Sequence, residues 1–550
     1  MKFFFRDTLF LSALVALCLF VGCKSKDADL LLVNGIVYTA DDVGTVAQAI
    51  AIKDGKIVSV GRSNDLQFEY NADSIVDLRG AFVYPGFIDA HCHFYGYAMN
   101  LKRVNLVGTT SWEEAVTLVD SFAIRQPEGW ILGRGWDQND WNDQEWPSKK
   151  LLDEHYPDRP VLLRRVDGHA AIANQAALDA AGIDRNSKVQ GGKILLKGRK
   201  PSGILIDHAV DLVESAIPAE SRADVIKSLK EAEKNLFRVG LTTVDDAGLD
   251  LEIIDLIDSL QKSGDLKIRV YAMANPSEEN FDRFSESGPY KTDRMHVRGF
   301  KVYADGALGS RGACLISSYK DAPGQKGFLM QDVAYYRQVA ERIHAAGMQM
   351  NTHCIGDSAN RLLLDIYSET LGEGNDERWR IEHSQVISPD DFKKFKRYNI
   401  WPSVQPKHAT SDMYWAEDRI GKERLQGAYA YKTLYSQNNK IAFGSDFPVE
   451  DINPILGFYA AVARVDLENF PYGGFMLNEA VGRDTAFRAM TILPAEANFE
   501  ENEKGSIEIG KFADLVILDQ DLLFMEQDQL PYIQVMQTFV NGEVVYNSEF

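Results

Sequence analysis

The chain has 550 residues, 45% of them hydrophobic and 25% charged, the balance of a folded globular protein rather than a disordered one. Its 59 Lys and Arg face 80 Asp and Glu, a formal net charge of −21 with no basic run to offset it, which excludes a phosphate-backbone partner such as nucleic acid. No apolar stretch reaches the ~20 residues of a spanning helix, so the sequence reads against an integral membrane protein.

Taken in chain order, residues 1–22 read as a lipoprotein-type signal peptide. Lys2 and Arg6 give it a positive start, Leu9 to Val21 a short apolar core, and Gly22-Cys23 a lipobox whose Cys becomes the lipidated mature N-terminus. Residues 23–29 follow as a tether. The expectation is a bacterial cell-envelope protein, lipid-anchored on a periplasmic or surface face and touching membrane only through Cys23. Cys92, Cys314 and Cys354 remain, odd in number and without a framework spacing, so no disulfide scaffold is implied.

Both ends of the mature chain carry short β-like segments with turn signals. Leu30–Ala40, Ala47–Gly61 and Ser74–Leu78 include Asp54-Gly55, while Gly505–Ile509, Ala513–Leu518 and Val535–Tyr546 include Asn541-Gly542. Small isolated sheets are marginal, so residues 30–82 and 500–550 are expected to pair into one composite β-sandwich. Between them, residues 83–499 alternate strand and helix. Apolar runs at Phe82–Ile88, Leu241–Val244, Ile268–Ala272, Phe300–Tyr303, Met348–Asn351, Arg380–Glu382, Ile400–Val404 and Lys440–Phe443 supply eight candidate strands. Helical spacing at Ser221–Val239, Val333–Ala346 and Ala359–Leu371 fits between them. This pattern predicts an α/β fold, a (β/α)8 TIM-type barrel. Residues 100–217 exceed one connection and read as an insertion after the first strand. It holds Trp112, Trp130, Trp136, Trp141 and Trp146, candidates for either a core or a pocket wall.

The chemistry is concentrated at predicted strand ends. His91 and His93 follow Pro85–Asp89 two residues apart, so both imidazoles of an extended chain point the same way. His353, His383 and Asp446 follow three further strands. Five ligand-type residues at four strand ends are what a metal site at the C-terminal mouth of a barrel requires. Cys92 and Cys354 adjoin ligands but alternate to the opposite face, as packing residues.

These residues lie in the motifs PGFIDAHCHF, DGHAAIAN, GLTTVDDAG, KVYADGALGSR, THCIGD, RIEHSQ, SVQPKHATSD and FGSDFPVE. The set resembles the amidohydrolase superfamily of metal-dependent hydrolases, and more narrowly the branch that includes N-substituted formamide deformylase. The resemblance spans nearly the whole mature chain, from Gly35 to Lys511–Asp514, and implies a barrel with a sandwich built from both termini. It implies that His91 and His93 hold a more buried metal, His353 and His383 a more exposed one, and that Lys301 is carboxylated and bridges them. A desolvated lysine loses its proton readily, so the neutral amine can capture carbon dioxide. Asp446 would be the catalytic acid–base group and a ligand as well. His169, Arg311 and His408 are candidate substrate contacts. Arg311, Asp357, Glu382 and Asp412 are candidates to orient ligands or bind polar substrate atoms. Asp207-His208 reads as insertion structure only.

The expected cofactor is a divalent metal, zinc by its imidazole and carboxylate donors, one or two per chain. The expected reaction is hydrolysis of a carbon–nitrogen bond in a small non-peptide amide or formamide by metal-activated hydroxide. A deaminase or another hydrolase on the same scaffold, and a metal-containing ligand-binding lipoprotein, are the competing readings.

Overall fold

The computed structural model describes residues 26–218 and 221–548. The leader and the Cys23 lipid site lie outside the described residues. Among the described residues no helix is long and apolar enough to cross a membrane.

Eight parallel strands form a nearly closed barrel: β1 (Phe87–Cys92), β2 (Leu241–Leu249), β3 (Arg269–Ala274), β4 (Met295–Tyr303), β5 (Gln349–Cys354), β6 (Arg380–His383), β7 (Trp401–Val404) and β8 (Ala442–Phe443). Neighbours in sequence are neighbours in the sheet, and helices such as Leu251–Ser263, Val333–Ala345 and Asp357–Leu371 return the chain between strands. The strands are buried along almost their whole length, which is why they read as continuous apolar runs and not as alternating ones.

The last strand is only two residues long, and side chains finish the closure. The Ser445 N–H and hydroxyl donate to Asp89, and the Asp446 N–H donates to the His91 carbonyl at 2.7 Å. Gly444 makes this approach possible, since a Cβ there would lie 2.5 Å from the His91 nitrogen.

The run Phe82–Ile88, read as one strand, is two. The Gly86 N–H donates to Asp514 O, while the Phe87 N–H donates to Gly240 O, so the chain changes sheets between these residues. Phe82–Pro85 joins Leu515–Leu518, Val535–Val540 and Glu543–Asn547 in a six-stranded sheet that also contains Ile36–Tyr38 and Val46–Ala47. Lys26–Val33, Ala49–Lys53, Lys56–Gly61 and Tyr70–Asp77 form a four-stranded sheet. One apolar cluster, including Leu32, Ile52, Ile57, Val83, Leu515 and Phe539, draws on both sheets. The two-residue turns Asp54-Gly55 and Asn541-Gly542 have positive φ at both positions, as tight hairpins require. Lys26–Asp29, expected in the tether, already belong to the first strand, because Ala28 is buried against the four-stranded sheet. Gly505–Ile509 forms no strand; Ile507 instead contributes a buried side chain.

The insertion builds its own six-stranded sheet, ordered Gly192–Lys197, Lys200–Asp207, Ala170–Ala173, Val161–Arg165, Ile131–Trp136, Val104–Asn105. Three of its five tryptophans are core, while Trp130 is partly buried on the wall of a separate cavity and Trp146 packs on the core from its edge. Trp112, Trp136 and Trp141 are buried together, and each indole N–H finds a backbone carbonyl, Ser148, Leu163 and Thr109 respectively.

Barrel and terminal sheet are locked together by a buried ion pair. Arg269 on β3 donates to both carboxylate oxygens of Asp514, at 2.6 and 3.0 Å, and stacks on Phe512. Removing one partner of such a pair leaves the other charge desolvated and alone. Asp514→Ala is therefore expected to lose about 3–5 kcal/mol of stability, read as a lowered urea midpoint; a loss under about 1 kcal/mol, typical of an exposed pair, would show that water reaches Arg269.

Candidate metal centre

The C-terminal mouth of the barrel gathers the ligand-type side chains around Asp446. His93 Nε2 lies 3.2 Å and His91 Nε2 3.6 Å from Asp446 Oδ1, and His408 Nε2 lies 3.5 Å from Oδ2. The His91 and His383 rings are 4.8 Å apart, and His383 and His353 are 4.5 Å apart. The five imidazoles thus form one continuous cluster. Lys301, fully buried on β4, places its Nζ 2.8 Å from His91 Nε2.

Each member is held from behind. His91 Nδ1 is paired with Glu382, whose other oxygen accepts from Arg380 Nε at 2.7 Å; Arg380 also donates to Asp245 at 2.9 Å. Asn498 closes this chain by donating to Asp245 at 2.7 Å. His93 Nδ1 bonds the Ala247 carbonyl and His383 Nδ1 bonds Gln405. With Nδ1 engaged in all three, Nε2 is the atom turned toward the cluster. Asp305, two residues past β4, accepts three backbone N–H groups, from Cys314, Ile355 and Gly356, and pins the loops beside His353.

The charge states follow from burial. Desolvation pushes Lys301 down to about 8, with Glu382 and Asp446 pulling the other way. Burial alone would raise Glu382, but Arg380 and His91 outweigh it and hold the carboxyl well below its usual range. Burial likewise opposes ionisation of Asp446, yet His408, His93 and the other rings keep it ionised. Against its own burial penalty, His408 is raised to about 10 by Asp446 and by Glu450, the latter 3.1 Å from its Nδ1.

Two features show that these residues fit a cation. Asp446 Oδ1 and His353 Nε2 are buried without a hydrogen-bond partner, the state in which a lone pair is costly unless something electrophilic meets it. One donor atom each from His91, His383 and Asp446 also lies within 4.8 Å of the others. Imidazoles and carboxylates gathered this closely are a donor set for a divalent transition metal. His383 and Asp446 both have positive φ, 71° and 61°, a conformation that non-glycine residues adopt at a cost and that turns both side chains into the mouth.

Of the expected substrate contacts, His169 and His408 line the cavities at this cluster; the His169 ring is 5.0 Å from that of His353. Arg311 does not. It is paired with Asp321 at 2.9 Å and is absent from both cavity walls, its loop salt bridge satisfying the guanidinium elsewhere. Asp357 accepts the Ile316 N–H and so shapes a loop. Asp412 accepts from Gln385 and Tyr429 on a cavity wall, and Asp167 holds Arg165. Asp207, read as insertion structure, is instead part of the site: its carboxylate holds His169 Nδ1 at 2.6 Å. Asp-His adjacency gave no hint of this, because the partner is 38 residues away. Cys92 and Cys354 are buried in the core, as alternation requires.

A sequence model of the amidohydrolase family matches residues 74–546. The Bacillus subtilis protein YtcJ is 31% identical over 527 residues, covering 93% of this chain and 98% of that one. N-substituted formamide deformylase of Arthrobacter pascens is 28% identical over 545 residues, 94% of this chain and 98% of the enzyme. The crystal structure of an uncharacterized metal-dependent hydrolase from Pyrococcus horikoshii superposes with a TM-score of 0.74 at 27% identity, covering 90% of this chain and 99% of that one.

The buried carboxylate behind His91 gives a direct test. Glu382→Gln keeps the shape but removes the charge that orients the ring and raises its basicity. Metal affinity measured by chelator competition is expected to fall about 10- to 100-fold; an unchanged affinity would separate Glu382 from the metal centre.

Proposed function

The chain belongs to the amidohydrolase family, and from that premise we propose that it is a metal-dependent hydrolase that cleaves the carbon–nitrogen bond of a small amide or formamide. The observation that carries the reading is the pair of buried atoms that make no hydrogen bond, Asp446 Oδ1 and His353 Nε2, among one cluster of imidazoles. His91, His93, His353, His383 and Asp446 would hold the metal, zinc in the simplest case, with Lys301 bridging as its carbamate. Bound there, a divalent cation polarises the carbonyl oxygen and brings a water pKa close to ~7.

The protein's own groups do the rest. Asp446 is ionised and can take the proton from the attacking water, then return it to the leaving nitrogen. His408, fixed by Glu450, stands on the far oxygen of Asp446 and keeps that carboxylate oriented between the two transfers. His169, whose Nδ1 is held by Asp207 and whose pKa that carboxylate raises against burial, is placed to donate a hydrogen bond from Nε2, as the imidazolium, to a developing oxyanion. Lys301, with its proton loosened by burial, is suited to carboxylation. The leader and Gly22-Cys23 support a setting at a bacterial envelope, anchored through lipid on Cys23, with a small-molecule amide as the partner.

Elemental analysis of protein purified from cells tests the centre. Wild type is expected to carry about two divalent cations per chain, with less in His91→Ala and Lys301→Ala. Asp446→Asn is expected to lower turnover of N-formyl and N-acyl amides by at least about 100-fold. Metal-free wild-type protein, or full metal content in His91→Ala, would refute the assignment. One metal per chain that is indifferent to Lys301→Ala would refute the bridging carbamate alone.

A further inference from the structure

The cavity of about 510 Å³ that opens on the cluster is walled on one side by the insertion, and that wall carries two arginines abreast. Arg134 and Arg164 are register partners on the parallel strands Ile131–Trp136 and Val161–Arg165, so their side chains leave the same face of the sheet. Both line the cavity. Two like charges in this arrangement repel, and each needs an anion nearby.

Arg164 has one: Glu214 meets its Nε at 2.8 Å and its Nη2 at 2.9 Å. Arg134 has none. Its Nη2 donates to the Val166 carbonyl at 2.8 Å, its Nε, like that of Arg164, is buried without a hydrogen bond, and among the described residues no carboxylate pairs with it as Glu214 pairs with Arg164. Burial, and then Arg164, lower its pKa to about 10, the signature of a cation short of a counter-charge. The 166–168 loop is shaped around the guanidinium. Gly168 has φ of 76°, and a Cβ there would lie 3.2 Å from Arg134 Nη2, next to His169 of the mouth.

The surrounding polarity points the same way. Of the carboxylates that line this cavity, Asp207 is taken up by His169, Asp167 by Arg165 and Asp246 by the Phe94 and Tyr95 N–H groups, and burial pushes Asp211 upward, toward its neutral form. On the other side of the cluster, a second cavity of about 400 Å³ shares His169, His353, His383 and Asp446 but sets Asp140, Asp412, Glu450 and Asp466 against Arg165 and Lys407. An anion is repelled there, and an amine is favoured. The scissile bond would lie between the chamber that holds the unpaired Arg134 and a more acidic one.

We propose that Arg134 is an anion-recognising residue of the substrate pocket, and that the substrate is an amide carrying a carboxylate on the insertion side of the scissile bond. This rests on the reading of the cluster as a hydrolytic centre, and it adds the substrate class. Arg164, neutralised by Glu214, positions Arg134 and contributes little net charge of its own.

The test uses N-acetylglycine, N-acetyl-β-alanine and N-acetyl-γ-aminobutyrate, each paired with its neutral carboxamide, titrated calorimetrically into metal-loaded wild type, Arg134→Gln and Arg134→Lys. Wild type is expected to bind at least one anion about 10-fold or more tightly than its neutral partner, the worth of a charge-assisted hydrogen bond. Arg134→Gln is expected to lose that preference while keeping its affinity for the neutral partner, and Arg134→Lys to regain part of it. Circular dichroism identifies any variant that fails to fold, and the wild-type preference then decides alone. No preference in wild type, including no binding of any anion, overturns the proposal, as does a preference that survives Arg134→Gln. Turnover of the same pairs separates the two readings: hydrolysis without charge preference leaves the enzyme assignment standing, whereas charge-selective binding without hydrolysis leaves the anion site standing.

Discussion

The structure depends on a line of charge buried inside the barrel. Asp245, Arg380 and Glu382 are fully enclosed, and water is replaced for each by its neighbours. Isolated, any one of them would cost several kcal/mol on the order of the effective desolvation penalty of a buried ion. Together they form a series in which each charge satisfies the next, beginning at Asn498 and ending at His91. The end of that series is the useful part. Glu382 occupies His91 Nδ1 and so leaves Nε2 as the free coordinating atom beside Lys301. The same carboxylate that compensates Arg380 therefore fixes the ring orientation of a candidate metal ligand. Stability and chemistry draw on one set of contacts here.

Closure of the barrel is coupled to the site in the same way. A two-residue β8 cannot seal the sheet with ladder hydrogen bonds alone, and the seam is completed by Ser445 on Asp89 and by the Asp446 N–H on the His91 carbonyl. The acid–base candidate is thus attached to the backbone of the first candidate metal ligand. Positive φ at Asp446 and His383 carries a conformational cost of about 1–3 kcal/mol each, borne because the seam and the loops around Asp305 over-determine both positions.

Much of this was legible in the sequence because barrels place function at predictable points. The eight strand ends could be read from apolar runs, and His91, His93, His353, His383 and Asp446 fell at the ends of four of them. Lys301 entered through the family motif and not through any spacing. The turns Asp54-Gly55 and Asn541-Gly542 were readable because positive φ has few acceptable residues. What escaped has a common cause. Gly86 divides one apolar run between two sheets, a fact set by which backbone partner is nearest and not by residue type. The five tryptophans of the insertion could serve a core or a pocket equally well until the sheet they cover was known. Asp207 and Arg134 are single polar residues on ordinary strands, and their meaning comes from partners that only the fold supplies. Arg311 failed in the opposite direction: a motif position suggested a contact that Asp321 pre-empts.

These differences divide the molecule by task. The barrel holds groups whose identity the chemistry dictates, and it holds them through buried charge that tolerates little change. The insertion has its own apolar clusters and its own sheet, so residues on its cavity face are positioned by strands and not by free loops. A side chain there can be exchanged without disturbing the charge series behind His91, because no member of that series comes from the insertion. Conversely, an arginine placed on that face is held rigidly enough to discriminate between substrates by charge, since its strand fixes it to the frame that carries the ligands. Selectivity and reaction chemistry are thereby built on separate cores that approach at the mouth, where His169 from the insertion comes near His353 from the barrel.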